Sequence, residues 1–148
     1  MAVKSVFERT SNTRKNQIKC NFQLLKEDEL KLIEQKTKDS LPATTKLSRH
    51  LAEKKLPVAT EEIINILHNF KMKDIIEINQ DLDTGNIKVL IKGNKKVITE
   101  KGKKFYLYTF VVWSLTTNSV VTCWVGKDKR NYADNFIRID VKKMLKKL

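Results

Sequence analysis

Residues 103–127 carry the sequence KKFYLYTFVVWSLTTNSVVTCWVGK, the longest apolar, β-branched and aromatic run of the chain. Side chains of these types fit a pleated, half-buried surface and are typical of β-strands. The polar segment 116–119 interrupts the run at the point where a hairpin would have to turn. The pattern therefore predicts two central antiparallel strands, which form the spine of a sheet.

Alternation of apolar and polar residues predicts further strands before this hairpin. Residues 75–79 and 87–92 alternate on either side of the turn sequence DTGN, which predicts a first hairpin. Residues 17–24 alternate as well and predict a short, half-buried strand. The basic stretch 93–104 is interpreted as a connector that holds no more than a short strand, at 97–99.

Helical spacing of apolar residues predicts four helices. Thr60 is expected to cap the third of them, because a side-chain hydroxyl accepts hydrogen bonds from the free N–H groups of a first turn. We therefore predict an α+β fold in which N-terminal helices pack on a twisted antiparallel sheet of about four strands, with a C-terminal helix against it. The predicted helices span residues 26–38, about 44–55, 60–70 and 134–148.

The length of 148 residues predicts one folded domain with an N-terminal addition. Residues 1–16 are polar and basic and lack periodicity, which favours a flexible basic arm. Residues 17–46 are interpreted as a strand–helix extension, and residues 47–148 as the main α+β domain.

The chain carries 30 Lys and Arg against 17 Asp and Glu, a formal net charge of +13. Residues 1–24 hold five basic and one acidic side chain, residues 25–85 ten and twelve, and residues 86–148 fifteen and four. The positive charge is thus concentrated in the strand-rich C-terminal part. So large an excess indicates a polyanionic partner, and we expect nucleic acid, with RNA preferred and DNA as the alternative.

Several kinds of protein are disfavoured by the sequence. Only four glycines occur, and we find no phosphate-binding glycine loop and no cluster of metal ligands, so we expect neither a cofactor nor a metal. Cys20 and Cys123 lack metal-ligand spacing and are expected to be free thiols in a reducing compartment. We find no apolar stretch near the ~20 residues of a membrane-spanning helix and no signal-peptide core, and therefore expect a cytoplasmic protein without a membrane partner.

One predicted helix carries a histidine with a lysine one turn further on. His50 lies beside the inward-facing leucines of this helix, and Lys54 follows four residues later. An imidazole and an ammonium at this spacing can share a phosphate, the first transferring a proton and the second offsetting negative charge. Lys92 and Thr122, each on a predicted strand, would complete such a site. A lone helical histidine is more often structural, and a strand threonine often serves β-propensity alone.

The positive charge gathers around the hairpin 103–127, so that one of its faces is the expected nucleic-acid surface. Tyr106 and Tyr108 share a strand face and can stack on bases, although tyrosines on a sheet more often only pack. The residues expected to bind nucleic acid are Lys19, Asn21, Lys88, Lys95, Lys96, Lys103, Lys104, Lys127, Lys129 and Arg130.

Four pieces of sequence follow one another between residues 47 and 127. The helical histidine with its lysine is followed by the helix sequence EEIINIL at 61–67, the basic strand KVLIK at 88–92 and the hairpin sequence TNSVVTCW at 117–124. In this order they resemble the barnase/colicin/RelE-like ribonuclease superfamily, in particular its small phage and polymorphic-toxin members. Residues 47–148 would then be a ribonuclease-like domain.

This resemblance implies a metal-independent endoribonuclease of phage or mobile-element type, with a protein inhibitor or antitoxin as a further partner. His50 would be the general base or acid acting on a 2′-hydroxyl; Lys54, Lys88 or Lys92 would stabilise the phosphorane, and Thr122 would orient a phosphate oxygen. The chain departs from the superfamily in having lysine where arginine is commoner, so that bidentate binding of phosphate is lost. A catalytically inactive member that only binds its partner is a further alternative.

Residues 17–55 resemble, more weakly, a ribbon-helix-helix DNA-binding module. In that fold the strands of two chains pair, and their outward side chains contact the major groove. Lys19 and Asn21 have the right chemistry for phosphates and base edges, whereas the usual helix cap and loop glycine are missing. This alternative implies a dimeric DNA-binding regulator or relaxosome accessory protein whose C-terminal sheet binds a partner.

Overall fold

The computed structural model describes residues 17–43, 46–48, 51, 58–127 and 138–148. These residues form one antiparallel sheet of five strands in the order β1-β2-β3-β4-β5, together with three α-helices. The predicted α+β class is confirmed, and the sheet has five strands rather than about four. The elements are β1 (Gln17–Asn21), α1 (Glu27–Ser40), α2 (Thr60–Asn69), β2 (Ile75–Asp81), β3 (Ile87–Glu100), β4 (Lys103–Ser114), β5 (Ser119–Gly126) and α3 (Val141–Leu145).

The strands predicted as the spine are β4 and β5. β4 is an interior strand, paired with β3 on one side and with β5 on the other. The predicted turn at 116–119 joins them, and Asn118 in it adopts a positive φ of 54°. β5 is an edge strand rather than a central one. Residues 46–48 lie along its first half, and their backbone makes two hydrogen bonds of 2.8 Å with Val120.

β3 is much longer than predicted, because the stretch interpreted as a connector continues the strand to Glu100. Lys101 and Gly102 then return the chain into β4, with φ angles of 51° and 75°. Positive φ at both central residues is the two-residue turn that matches the twist of paired strands. Gly126, the last residue of β5, pairs with Tyr108, so that residues 96–107 have no third strand beside them in the described part of the chain. We call residues 96–107 the hairpin extension.

β1 belongs to the same sheet as the other strands. Its residues pair antiparallel with β2, from Gln17 opposite Asp81 to Asn21 opposite Glu77. The sheet therefore joins the predicted extension 17–46 to the residues that follow it. The predicted basic arm, residues 1–16, lies outside the described residues.

The described helices pack against one face of the sheet. On β4 this covered face carries Thr109, Val111 and Trp113, each with 0% exposure. Trp113 lies under α1, where its Nε1–H donates a 2.7 Å hydrogen bond to Ser40 Oγ. Glu62 of α2 accepts a 2.9 Å hydrogen bond from Thr109 Oγ1, and α3 adds apolar residues to the same core. The hydrophobic core thus lies between the helices and one side of the sheet.

Two predicted helices, α1 and α2, occur within two residues of their expected bounds. The predicted role of Thr60 is wrong, since Ala59 is the N-cap, without a capping side chain, and Thr60 is the first helical residue. The helix expected at 44–55 falls largely outside the described residues, and at Leu47 it is wrong because this residue forms an extended bridge to Val120.

The C-terminal helix is shorter than predicted. It begins at Val141, one residue after Asp140, whose Oδ1 accepts a hydrogen bond from the Lys143 backbone N–H. This capping contact fixes the start of the helix. Residues 138–140 are non-helical, and residues 128–137 lie outside the described residues.

A β-bulge between Lys92 and Lys95 marks the base of the hairpin extension. Gly93 lies in this bulge and contacts α2. A Cβ added to Gly93 would lie 2.3 Å from Ile66 Cδ1 and 2.6 Å from Ile66 Cγ1. Side-chain carbons do not approach this closely, so Ile66 would have to shift if residue 93 carried a side chain.

We expect Gly93→Ala to destabilise the fold by about 1–3 kcal/mol, because an added methyl group in a packed site forces its neighbours to shift. Urea unfolding of the variant and the parent chain measures this loss. Ile66→Val removes the closest atom and should recover part of the loss in the double variant. Gly126→Ala is the matched control, since its Cβ would meet Trp124 Cδ1 only at 3.5 Å, an ordinary contact. Strictly additive effects of Gly93→Ala and Ile66→Val would contradict the packing argument.

Candidate nucleic-acid interface

The side of the sheet opposite the helices, which we call the open face, has no described helix packed on it. Cross-strand pairs identify its residues, since Lys88 lies opposite Ser114 and Lys92 lies opposite Phe110. Alternation along each strand then places the remaining members on the same side. Its charged and aromatic residues are Lys19, Glu77, Asp81, Lys88, Lys92, Lys95, Lys104, Tyr106, Tyr108, Phe110 and Trp124.

The middle of the open face is polar and carries lysines. Lys19, Asn79 and Lys88 form one row across β1, β2 and β3. The Asn79 amide donates a 3.1 Å hydrogen bond to Glu77 Oε2, while its Oδ1 is buried without a hydrogen-bond partner. A sheet face that packs against a second layer is apolar. Lys19 and Lys88 are half-buried and Asn79 is 7% exposed, so the row is polar but only partly accessible.

Aromatic side chains follow one another along β4 on the open face. Tyr106, Tyr108 and Phe110 occupy alternate positions, and Trp124 of β5 lies opposite Phe110. The rings of Phe110 and Trp124 are stacked, with centroids 5.4 Å apart and an interplanar angle of 19°. Tyr106 is 49% and Trp124 39% exposed, whereas Phe110 is 6% exposed. Phe110 thus supports an aromatic surface of which Trp124 and Tyr106 are the accessible parts.

Two lysine ammonium groups lie over tyrosine rings of this surface. Lys92 Nζ is 4.5 Å from the ring centroid of Tyr108, and Lys95 Nζ is 4.6 Å from that of Tyr106. Both distances are within the range of cation–π attraction. The bulge between Lys92 and Lys95 adjusts the register so that both lysines reach the same face. Positive charge and aromatic surface are therefore combined in one place.

The structure brings together two of the four residues predicted to be catalytic. Lys92 and Thr122 both lie on the open face, two strands apart, with Thr122 next to Trp124 along β5. From the spacing of strands and residues, their Cα atoms are on the order of 12 Å apart, so that they would contact different parts of one ligand. His50 and Lys54 lie outside the described residues.

The predicted nucleic-acid-binding lysines are divided between the two sides of the sheet. Lys88, Lys95 and Lys104 are on the open face together with Lys19. The opposite side carries Lys96, whose Nζ is 3.1 Å from Glu62 Oε2, and Lys127, whose Nζ is 5.4 Å from the Phe105 ring centroid. Lys103 is also on that side. Lys129 and Arg130 lie outside the described residues.

Asn21 does not present its side chain as a nucleic-acid ligand in this structure. It is 1% exposed, and its Oδ1 accepts a 2.9 Å hydrogen bond from the Gln23 backbone N–H. The prediction that it contacts base edges is therefore corrected: it is a buried capping residue at the end of β1. In addition, β1 pairs with β2 of its own chain, whereas the ribbon-helix-helix arrangement pairs this strand with a second chain.

Trp124 and Phe110 were not predicted as site residues. A usable signal was present, because Thr122 and Trp124 alternate with Cys123 and Val125 in the strand sequence. Cys123 is 4% exposed and lies on the covered side. A tryptophan on the other side of such a strand had to be on the more accessible face.

Other kinds of site find no support among the described residues. They contain no group of three or more His, Cys, Asp or Glu that could hold a metal ion. In the same residues, no helix is long and apolar enough to cross a membrane. Compared with known proteins, the chain matches no family model, no curated protein and no solved structure.

Both cysteines are free and buried, at 0% and 4% exposure for Cys20 and Cys123. Desolvation raises the pKa of both thiols above the ordinary value; Glu62 adds to the effect at Cys123, while Ile139 and Arg138 oppose it at Cys20. Because the thiolate is the reactive form, neither thiol is suited to nucleophilic or redox chemistry at neutral pH.

We expect the native protein to resist thiol modification. At pH 8, where a raised pKa keeps the thiols protonated, iodoacetamide should label neither cysteine within a time that labels both after unfolding in urea. Mass spectrometry of the alkylated protein counts the modified groups. Rapid labelling of Cys123 in the folded chain would contradict its burial in the core.

Proposed function

We propose that this chain binds nucleic acid, with RNA preferred to DNA, through the open face of its sheet. The observation that carries the proposal is the combination of Lys88, Lys92 and Lys95 with exposed aromatic rings on that face. Lysines neutralise phosphates and aromatic rings stack on bases, so that the two residue types complement the two parts of a nucleotide. The formal charge of +13 supports the same class of ligand.

The distribution of charge supports a particular orientation of the ligand. The open face holds five lysines, Lys19, Lys88, Lys92, Lys95 and Lys104, against the two carboxylates of Glu77 and Asp81. The carboxylates are on β2, whereas Lys92, Lys95 and Lys104 continue along β3 and β4 into the hairpin extension. A polyanion that follows the β3–β4 hairpin therefore avoids the acidic strand.

Replacing Lys88 and Lys92 by alanine should weaken binding of RNA and lower its salt dependence. Each lysine that contacts a phosphate contributes roughly 0.7–0.9 to the slope of log K against log salt. Fluorescence anisotropy with labelled RNA at several salt concentrations measures this slope.

The control is Lys36→Ala, which removes the same charge from an exposed position of α1, on the helical side. It should leave the slope nearly unchanged. Equal losses for a lysine of the open face and for Lys36 would mean that net charge alone governs binding, and would contradict a site on the open face.

We further propose, on the resemblance to the barnase/colicin/RelE-like ribonucleases, that binding leads to metal-independent cleavage of RNA. In this mechanism His50 transfers the proton of the 2′-hydroxyl and Lys54 and Lys92 offset charge on the phosphorane. Thr122, on the order of 12 Å from Lys92, orients an oxygen of a neighbouring phosphate. Lys92 and Thr122 lie on the same face of the sheet, which supports their contact with a single ligand.

The alternative is a chain of the same fold that binds RNA without cleaving it. For both alternatives we propose a protein inhibitor as a further partner and a cytoplasmic location.

His50→Ala should abolish RNA cleavage in the presence of EDTA while leaving RNA binding within a few-fold of the parent chain. A gel assay of a labelled RNA follows cleavage, and anisotropy follows binding. The matched control is His68→Ala, since the chain has two histidines and His68 is an exposed residue of α2. Undiminished cleavage by the His50 variant would contradict the assignment, and absence of cleavage by the parent chain would favour the binding-only alternative.

The DNA-binding regulator remains the weaker alternative. It requires β1 to pair with a second chain and its outward residues to reach base edges. One edge of β1 is occupied by β2, and Asn21 is buried. Of Lys19 and Asn21, Lys19 is half-buried and Asn21 is buried.

A further inference from the structure

We infer that the ligand of the open face is a single-stranded nucleic acid, whose bases stack on Trp124 and on the tyrosines of β4. This inference rests on the proposed function, because it specifies which form of nucleic acid the face takes. The inference depends on the arrangement of the aromatic rings. The net charge of the chain would attract single strands and duplexes alike.

Trp124 is held as a fixed stacking surface. Phe110 lies against its indole with a centroid distance of 5.4 Å and a nearly parallel orientation. The indole also extends over Gly126, where an added Cβ would lie 3.5 Å from Trp124 Cδ1. With these two supports the indole keeps 39% of its surface exposed. A base that stacks on it therefore meets an aromatic ring that is already ordered, which reduces the entropic cost of binding.

The spacing of the rings favours unstacked bases. Tyr106, Tyr108 and Phe110 are two residues apart, which corresponds to about 6.8 Å along a strand. Stacked bases in a duplex are separated by about 3.4 Å along each strand. Bases that meet successive rings of β4 therefore cannot be stacked on one another. Only a single strand, whose bases are free to separate, satisfies this condition without loss of base pairs.

The lysines over the tyrosine rings fit the same ligand. Lys92 and Lys95 each lie within 4.6 Å of a ring centroid. A base that arrives at Tyr106 or Tyr108 takes the place of the ammonium on the ring, and the flexible lysine side chain moves to the phosphate of the same nucleotide. The exchange replaces one exposed cation–π contact by a base–ring stack and a lysine–phosphate pair. The two new contacts contribute more binding free energy than the cation–π contact that is lost.

The chain supplies its own optical probe for this inference. It contains two tryptophans, of which Trp113 is 0% exposed under α1 and Trp124 is 39% exposed on the open face. Stacking of a base on Trp124 quenches its fluorescence, whereas Trp113 is out of reach of any ligand. A phosphate-only contact at the lysines would leave both indoles without a stacking partner.

The experiment compares one RNA of about 12 nucleotides, within the usual range of single-strand site sizes, with its duplex. We expect the single strand to bind more tightly and to quench part of the tryptophan emission, and the duplex to do neither. Trp124→Ala should weaken binding of the single strand roughly 5- to 150-fold, the range for loss of one base stack. Tyr106→Ala, at a separate exposed ring, should weaken it in the same range, while Trp124→Phe should retain most of the affinity but lose the quenching.

Two outcomes would overturn the inference. Equal affinity for single strand and duplex, together with wild-type affinity of the Trp124→Ala and Tyr106→Ala variants, would show binding by phosphate contacts alone and leave the proposed function intact. Failure of the parent chain to bind either form of RNA or the corresponding DNA would remove the proposed function and the inference together. Far-ultraviolet circular dichroism of each variant and the blue-shifted emission of the buried Trp113 establish that the fold is retained.

Discussion

The arrangement of this molecule depends on the register of β4. Along this strand every second side chain, from Thr109 to Trp113, is buried under the helices, and the residues between them face the other way. A shift of the register by one residue would exchange the two sets, since side chains alternate strictly along a strand. Trp113 would then lose its hydrogen bond to Ser40, and the aromatic row would be covered by helices. Stability of the core and accessibility of the open face are thus set by the same pairing.

Among the described residues, the helices lie on one side of the sheet, and the proposed ligand surface is on the other side. Glu62 and Ile66 hold α2 against the covered side at the base of the hairpin extension, and α1 covers Trp113. The other side keeps a row of lysines and an amide in its middle. Charged groups in such a row need water or partners, since burying an unpaired charge is costly. The proposed nucleic acid would pair its phosphates with these lysines and stack its bases on the exposed rings.

The sequence alone predicts the parts of this fold whose signals are local. Apolar alternation and the TTNS turn identify β4 and β5, and helical spacing identifies α1 and α2. The sequence predicts the β4 side of the hairpin extension but only a short strand, 97–99, on its β3 side, because Lys, Gly and Asn are depleted in strands. Pairing with β4 overrides this weak propensity. The place of β1 depends on a contact between Gln17 and Asp81, far apart in sequence. Alternation with Cys123 and Val125 could have placed Trp124 on the less apolar side of β5, but its stacking on Phe110 depends on the pairing of β4 with β5.

The hairpin extension has a consequence for how copies of this chain behave together. It exposes Val97, Ile98 and Tyr106 on a two-stranded ribbon, a surface that would otherwise template pairing with another chain. Lys95, Lys103 and Lys104 lie along both strands, and like charges on an exposed ribbon oppose the approach of a second copy. A bound polyanion cancels that repulsion. Under the proposed function, molecules bound side by side along a long polyanion are therefore expected to cluster on it, because binding neutralises the lysines that oppose contact between their ribbons.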